Sequence, residues 1–152
     1  VSLDKTLVRE LGASVGDIPG AGAAGAMGAG ALAFFGAKLN PGIETVLDTV
    51  HFEERIAGAD VVITGEGRLD SQSLRGKVVI GVSRRAKRAG IPVFAVVGDV
   101  GDDIDEAYQE GVTAIFSTNH LAIPFSEAKA RSKQDYRLTI ENLFRALAAM
   151  EK

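Results

Sequence analysis

The chain has 152 residues, 46% of them hydrophobic, and a formal net charge of −3. That length buries one good core, so one compact domain or one and a fraction is expected. With no Trp, no basic block and no basic patch interleaved with aromatics, the composition argues against nucleic acid as the main partner. The absence of Cys removes both a disulfide framework and a thiolate metal site.

The chain opens on Val1, which points to a processed or excised polypeptide, and shows no charged-then-apolar leader, so a cytoplasmic protein is expected. Leu3, Leu7, Val8 and Leu11 fall at helical spacing, and Gly12 ends the pattern. A loop over 15–20 leads into Ala21–Ala37, which contains no charge. Most of that run is Gly and Ala, whose transfer energies are too weak to hold a lone segment in lipid. No membrane association is expected, and the run reads as a helix buried in a globular core. Gly22, Gly25 and Gly28 clear one stripe of it for close approach of another backbone. Asn40-Pro41-Gly42 breaks the helix, and two short amphipathic helices are predicted over 43–50 and 52–57. His51 and His120 lie far apart and are read as structural or exposed rather than metal-binding.

From Asp60 onward the order is regular. Val61–Thr64 is an apolar, β-branched run, predicted as a strand buried on both faces. A polar loop follows, then a helix over 77–89 that ends in Arg84, Arg85, Lys87 and Arg88 with Gly90 behind them, suiting its negative dipole end. Strands are predicted at 92–97 and 112–116, with a short helix over 104–109 between them. In the last helix Tyr136, Ile140, Leu143, Phe144 and Leu147 trace one face. Alternating strands and helices with short links predict a three-layer α/β fold with a parallel sheet. Three strands make a thin sheet, so further strands are expected from outside this chain. A domain border is placed near residue 58.

The densest chemistry lies in Thr64-Gly65-Glu66-Gly67-Arg68-Leu69-Asp70-Ser71-Gln72-Ser73-Leu74-Arg75-Gly76-Lys77. A polar loop between the carboxyl end of a core strand and a helix is where open α/β sheets bind ligands. Arg68 and Lys77 suit phosphate oxygens. Glu66 or Asp70 suits Mg²⁺, directly or through water. Gly65 and Gly67 offer backbone to an anion, and Gln72 and Ser73 offer hydrogen bonds. A second glycine-rich segment, Pro19-Gly20-Ala21-Gly22-Ala23-Ala24-Gly25, also puts free N–H groups at a helix start. It matches Gly-x-Gly-x-x-Gly, but no strand leads in and no acidic residue follows about twenty positions on. It reads equally well as an anion cradle around Gly20 and Gly22 or as a helix-packing motif.

The stretch 64–77, with Ile18-Pro19-Gly20-Ala21-Gly22-Ala23-Ala24-Gly25-Ala26-Met27-Gly28 upstream, resembles the bacterial glycerate kinase family, class I type. The segments 91–98 and 111–117 look like that family too. Ser73 stands where Thr is usual, and Ala26 and Met27 where a glycine and an aliphatic residue are usual. The resemblance implies a flavodoxin-like α/β domain carrying a second α/β domain as an insertion. On that plan residues 1–58 finish the inserted domain and 59–152 supply the last strands of the flavodoxin-like one. Family members are much longer, and the likeness is to their carboxyl-terminal part. It implies ATP and Mg²⁺ as cofactors and D-glycerate as substrate, commonly giving 2-phosphoglycerate.

In that chemistry Asp70 is the expected base or metal ligand, Arg68 and Lys77 are anion contacts, and Glu66 is a second metal contact, with Glu66 and Asp70 interchangeable. The missing amino-terminal region, or self-association, is the expected partner, and the fragment alone is expected to be inactive. A non-catalytic binding or regulatory module, and another phosphate-ligand enzyme of flavodoxin-like architecture, are the alternative classes.

Overall fold

The computed structural model describes residues 2–150. It comprises two compact units, one up to Gly42 and one from Ile43 onward.

In the first unit α1 (Ser2–Leu11) ends at Gly12, whose φ of +66° turns the chain out of the helix. The Asp4 carboxylate accepts the N–H groups of Val15 (3.1 Å) and Gly16 (2.7 Å), pinning the following loop to α1. Leu7, Val15, Ala21 and Ala29 form a small core. The uninterrupted buried helix expected over 21–37 does not form. Instead α2 (Ala23–Phe35) contains a left-handed turn at Ala24, Gly25 and Ala26. Left-handed backbone costs about 1–2 kcal/mol for each alanine. Only Ala21 and Ala29 of the run are buried, and Met27, Phe34 and Phe35 are exposed. Glycine and alanine bring little apolar area, so they do not by themselves draw the helix inward. The glycine stripe divides too. A Cβ at Gly28 would run into the backbone of Gly20 and Ala21, whereas Gly22 and Gly25 face open space.

The second unit is built on three parallel strands, β1 (Val62–Leu69), β2 (Val93–Val100) and β3 (Val112–Ser117), in the order β1-β2-β3. Leu69, Val79, Ile80, Ala95, Val97, Ala107 and Val112 make its main core, with α5 (Val78–Arg88) and α6 (Asp105–Gln109) supplying the helical members. The central strand β2 is the deeply buried one, through Val93, Ala95, Val96 and Val97. Within this chain β1 has only Leu69 fully buried, and its other residues are half-buried or exposed rather than buried on both faces.

It also runs five residues past the expected end at Thr64, to Leu69, in register with β2 (Glu66 beside Val97, Arg68 beside Asp99). Two glycines permit this. A Cβ on Gly65 would strike the Val96 carbonyl, and one on Gly98 the Gly67 carbonyl. Glu66 and Arg68 are therefore strand residues, and the loop proper is only 70–77.

The helices α3 (Gly42–Thr49) and α4 (Phe52–Ile56) pack within this second unit. The buried Arg85 of α5 is the fastener. Its guanidinium donates to both carboxylate oxygens of Glu53 and to Asp48 Oδ1, each at 2.5 Å. Those bonds hold the Glu53 carboxyl below its ordinary value and raise that of Arg85.

On α7 (Phe125–Met150) the buried stripe is Asp135, Thr139 and Leu143, one position off the expected face, while Tyr136 and Phe144 are each 54% exposed. Polar side chains can take the buried stripe because they are satisfied there. Arg131 pairs with Asp135 at 3.0 Å, the Thr139 hydroxyl donates to the Asp135 carbonyl, and His120 Nε2 lies 2.9 Å from Thr139 Oγ1.

Candidate active site

Leu69, wholly buried, anchors the end of β1, and the chain leaves the sheet at Asp70. Asp70 Oδ1 accepts the N–H groups of Gln72 (3.0 Å) and Ser73 (3.3 Å), and the Ser73 N–H also reaches the Asp70 carbonyl (2.8 Å). The Ser73 hydroxyl accepts the Asp70 N–H and donates to the Arg68 carbonyl, both at 3.3 Å. A single 3-10 turn (Ser73–Arg75) and Gly76, at φ +93°, then bring the chain to Lys77, the residue that precedes α5. Gly101 packs on the Asp70 Cβ from the loop after β2.

This turn fixes the Asp70 carboxylate between two cations. Lys77 Nζ is 3.9 Å from Oδ1, and Arg68 Nε is 3.8 Å from Oδ2 and 3.7 Å from Asp99 Oδ2. These separations exceed direct hydrogen-bond reach. Both cations are about half exposed or more, so they keep donors for an incoming anion. Among the described residues Asp70 Oδ2 has no closer partner than Arg68, at 3.8 Å.

Two adjoining cavities lie between the carboxyl half of the sheet and α7. One, of about 550 Å³, is lined by Gly65, Glu66, Val96, Val97, Ser132, Lys133 and Tyr136 among others. The other, of about 440 Å³, is lined by Gly67, Asp99, Ile123, Phe125, Lys129 and Asp135 among others, and the two share Gly98, Thr118 and Ser132. Glu66 Oε1 is shielded from solvent without a hydrogen-bond partner among the described residues.

The structure thus brings Arg68, Asp70, Gln72, Ser73 and Lys77 together, and sets Gly65, Glu66 and Gly67 beside the cavities. Gly20 and Gly22 belong to the other unit. Ser73, at 0% exposure with its hydroxyl engaged on both sides, braces the loop rather than offering a ligand contact. Its main-chain N–H and that of Gln72 are likewise spent on Asp70. Among the described residues no group of three His, Asp or Glu side chains is arranged to hold an ion.

A nucleotide-bound Mg²⁺ needs only one or two carboxylates beside the phosphates. Glu66, with its unpartnered oxygen, fits that demand better than Asp70, which is already surrounded by donors. Sequence reasoning missed Asp99 and the α7 residues Lys129, Ser132 and Lys133. Asp99 follows Gly98 at the end of a visible strand, and its pairing with Arg68 follows from strand register alone. The α7 residues carry no motif.

A charged loop and grooves at the carboxyl end of a parallel sheet define an α/β protein with the ligand-binding layout of its class. Residues 2–148 match the model of the glycerate kinase family. The glycerate kinase of Halalkalibacterium halodurans is 51% identical over 119 residues, covering 78% of this chain and 31% of that protein. The glycerate 2-kinase of Escherichia coli is 48% identical over 113 residues, covering 74% and 30%. A Salmonella typhimurium crystal structure carrying the name glycerate kinase 2 superposes with a TM-score of 0.71 at 39% identity, over 99% of this chain and 38% of that one. The chain belongs to the glycerate kinase family and matches its carboxyl-terminal part. It spans about a third of the length of the curated relatives it matches.

Proposed function

We propose that the polypeptide carrying this chain transfers the γ-phosphoryl group of ATP to the 2-hydroxyl of D-glycerate, giving 2-phosphoglycerate and ADP. Family membership supports the kinase reading, and the name of the Escherichia coli relative supports the position of transfer. The observation that carries the site is Asp70, fixed by two backbone N–H groups with Arg68 and Lys77 at either side.

In this reading Asp70 Oδ2 accepts the proton of the substrate hydroxyl as its oxygen bonds to the γ-phosphorus and the bond to ADP breaks. Arg68 and Lys77 hold the glycerate carboxylate and offset charge on the phosphoryl group in flight. Positioning and charge stabilisation do most of the work in such transfers. Mg²⁺, when bound with the nucleotide, neutralises phosphate charge, and Glu66 is the carboxylate we assign to it. Ser73 and Gln72 act by holding Asp70 in place. Residues 1–58 are assigned to the end of an inserted α/β domain and 59–152 to a flavodoxin-like domain. The packing of α3 and α4 on α5 sets those two helices beside the sheet whichever domain they derive from.

The test is alanine at Asp70 or Lys77 in the native polypeptide. Loss of a positioned acid–base group costs roughly 10²–10⁴ in rate. Both residues are partly exposed, so truncation leaves no core cavity and the melting temperature should stay within a few degrees. Near-normal turnover in both variants moves the chemistry elsewhere.

A further inference from the structure

We infer that the groove between the sheet and the amino-terminal half of α7 is the nucleotide site, with Lys129 and Lys133 holding the phosphates, which leaves the 68–77 cluster to glycerate. This rests on the kinase reading and divides its two substrates between two places in the chain.

Size is the first argument. Cavities of about 550 and 440 Å³ that share Gly98, Thr118 and Ser132 belong to the range of roughly 300–1,000 Å³ that takes drug-sized ligands. A three-carbon acid fills a small part of that space. Arg68, Asp70 and Lys77 line neither cavity, and their tight cluster suits the small acid.

Charge is the second. Lys129 and Lys133 lie four residues apart on α7, hence on one side of it. Neither has an ion-pair partner among the described residues. On the same helix Arg131 pairs with Asp135 and Arg145 with Glu141, whereas Arg137, like the two lysines, has no ion pair among the described residues. Two uncommitted ammonium groups at the rim of a groove provide donors for phosphate oxygens. The Ser132 and Thr118 hydroxyls lie beside them in both cavities.

Third, the groove is amphipathic. Val96, Val97 and Ile123 line it, together with Phe125 and Tyr136, which are 79% and 54% exposed. Aromatic faces of that kind stack on a purine regardless of its hydrogen-bonding pattern. Glu66, whose Oε1 lacks a hydrogen-bond partner among the described residues, lines the same cavity as Lys133, where a metal-bound phosphate would meet both.

The experiment is calorimetric titration of ADP and of AMP, each with Mg²⁺, into the native polypeptide and into its Lys129→Ala/Lys133→Ala variant, with the KM for glycerate measured alongside. The expected result is a Kd for ADP raised about tenfold or more, the worth of one or two charge-assisted contacts. AMP, with no β-phosphate, should shift less, and the KM for glycerate should not move. An unchanged Kd for ADP overturns the inference, as does a rise in the glycerate KM with ADP binding intact. The melting temperature checks folding, and the Lys→Gln pair repeats the test without shortening the side chains. The kinase reading fails separately. A polypeptide that binds ADP through these lysines but does not phosphorylate glycerate keeps the groove assignment and loses the reaction. One that phosphorylates glycerate with ADP binding indifferent to the lysines keeps the reaction and loses the groove.

Discussion

Replacing Ser73 by alanine removes one oxygen that touches neither solvent nor, in our reading, substrate, and it should affect both stability and rate. The hydroxyl accepts the Asp70 N–H and donates to the Arg68 carbonyl, both at 3.3 Å. A typical intramolecular hydrogen bond contributes about 0.5–1.5 kcal/mol net, and a buried group left unpaired costs about 1–3 kcal/mol. At 3.3 Å both bonds are slightly longer than the usual range, so each is taken at the low end of these values. The Asp70 N–H and the Arg68 carbonyl then together account for about 2 kcal/mol. For a domain of this size that lowers the melting temperature by about 4–8 °C.

Asp70 keeps the N–H groups of Gln72 and Ser73, so its carboxylate is loosened rather than lost. Turnover should fall by about tenfold, well short of the Asp70→Ala effect, because misplacement of about 1 Å costs up to about a hundredfold. Thermal unfolding and steady-state kinetics on one preparation measure both quantities. A variant with unchanged melting temperature and unchanged turnover would refute the loop-bracing role. A large drop in stability with full activity would refute the link from Ser73 to Asp70.

Gly65→Ala should destabilise the fold by about 1–3 kcal/mol by driving β1 off the Val96 carbonyl, whereas Gly67→Ala, which meets open space, should be near neutral. Equal urea midpoints for the two would refute the close-approach argument. Gly25→Val should cost about 1–2 kcal/mol through left-handed backbone at φ +68° rather than through overpacking, while Gly22→Val, at negative φ and also in open space, should cost little. Chemical unfolding of both variants distinguishes strain from packing. The Glu53 and Glu110 carboxyls are held below their ordinary value of 4.5 by hydrogen bonds from Arg85 and Arg84. A carboxyl lowered on folding adds stability above its unfolded pKa and loses it as pH falls through the folded one. The unfolding midpoint should therefore drop as pH falls below about 4.5, and Glu110→Gln should flatten that slope.

Much of the architecture follows from local pattern. Alternating apolar runs and helical periodicity, punctuated by Gly12, Gly90 and Gly111 at positive φ, place the helices and strands, and short links make the strands parallel. The chemistry of 64–77 is legible as well, because a carboxylate, a guanidinium and an ammonium crowd into a few positions. Where β1 ends is not legible. Glu66 and Arg68 look like loop residues until β2 is seen to continue alongside them to Val100, with Gly65 and Gly98 letting the two backbones close up. Nor does the uncharged composition of 21–37 decide its burial, since apolar character in Gly and Ala carries too little area to choose a place.

The α7 stripe shows the same limit from the other direction. Asp135 and Thr139 read as solvent-facing by type, yet they are buried because Arg131 and His120 satisfy them. Residue type and spacing thus determine the elements and the charged loop. Only tertiary structure decides which polar groups find partners, which cations stay free, and that a groove opens between the sheet and α7. Each of those depends on contacts between segments far apart in the chain.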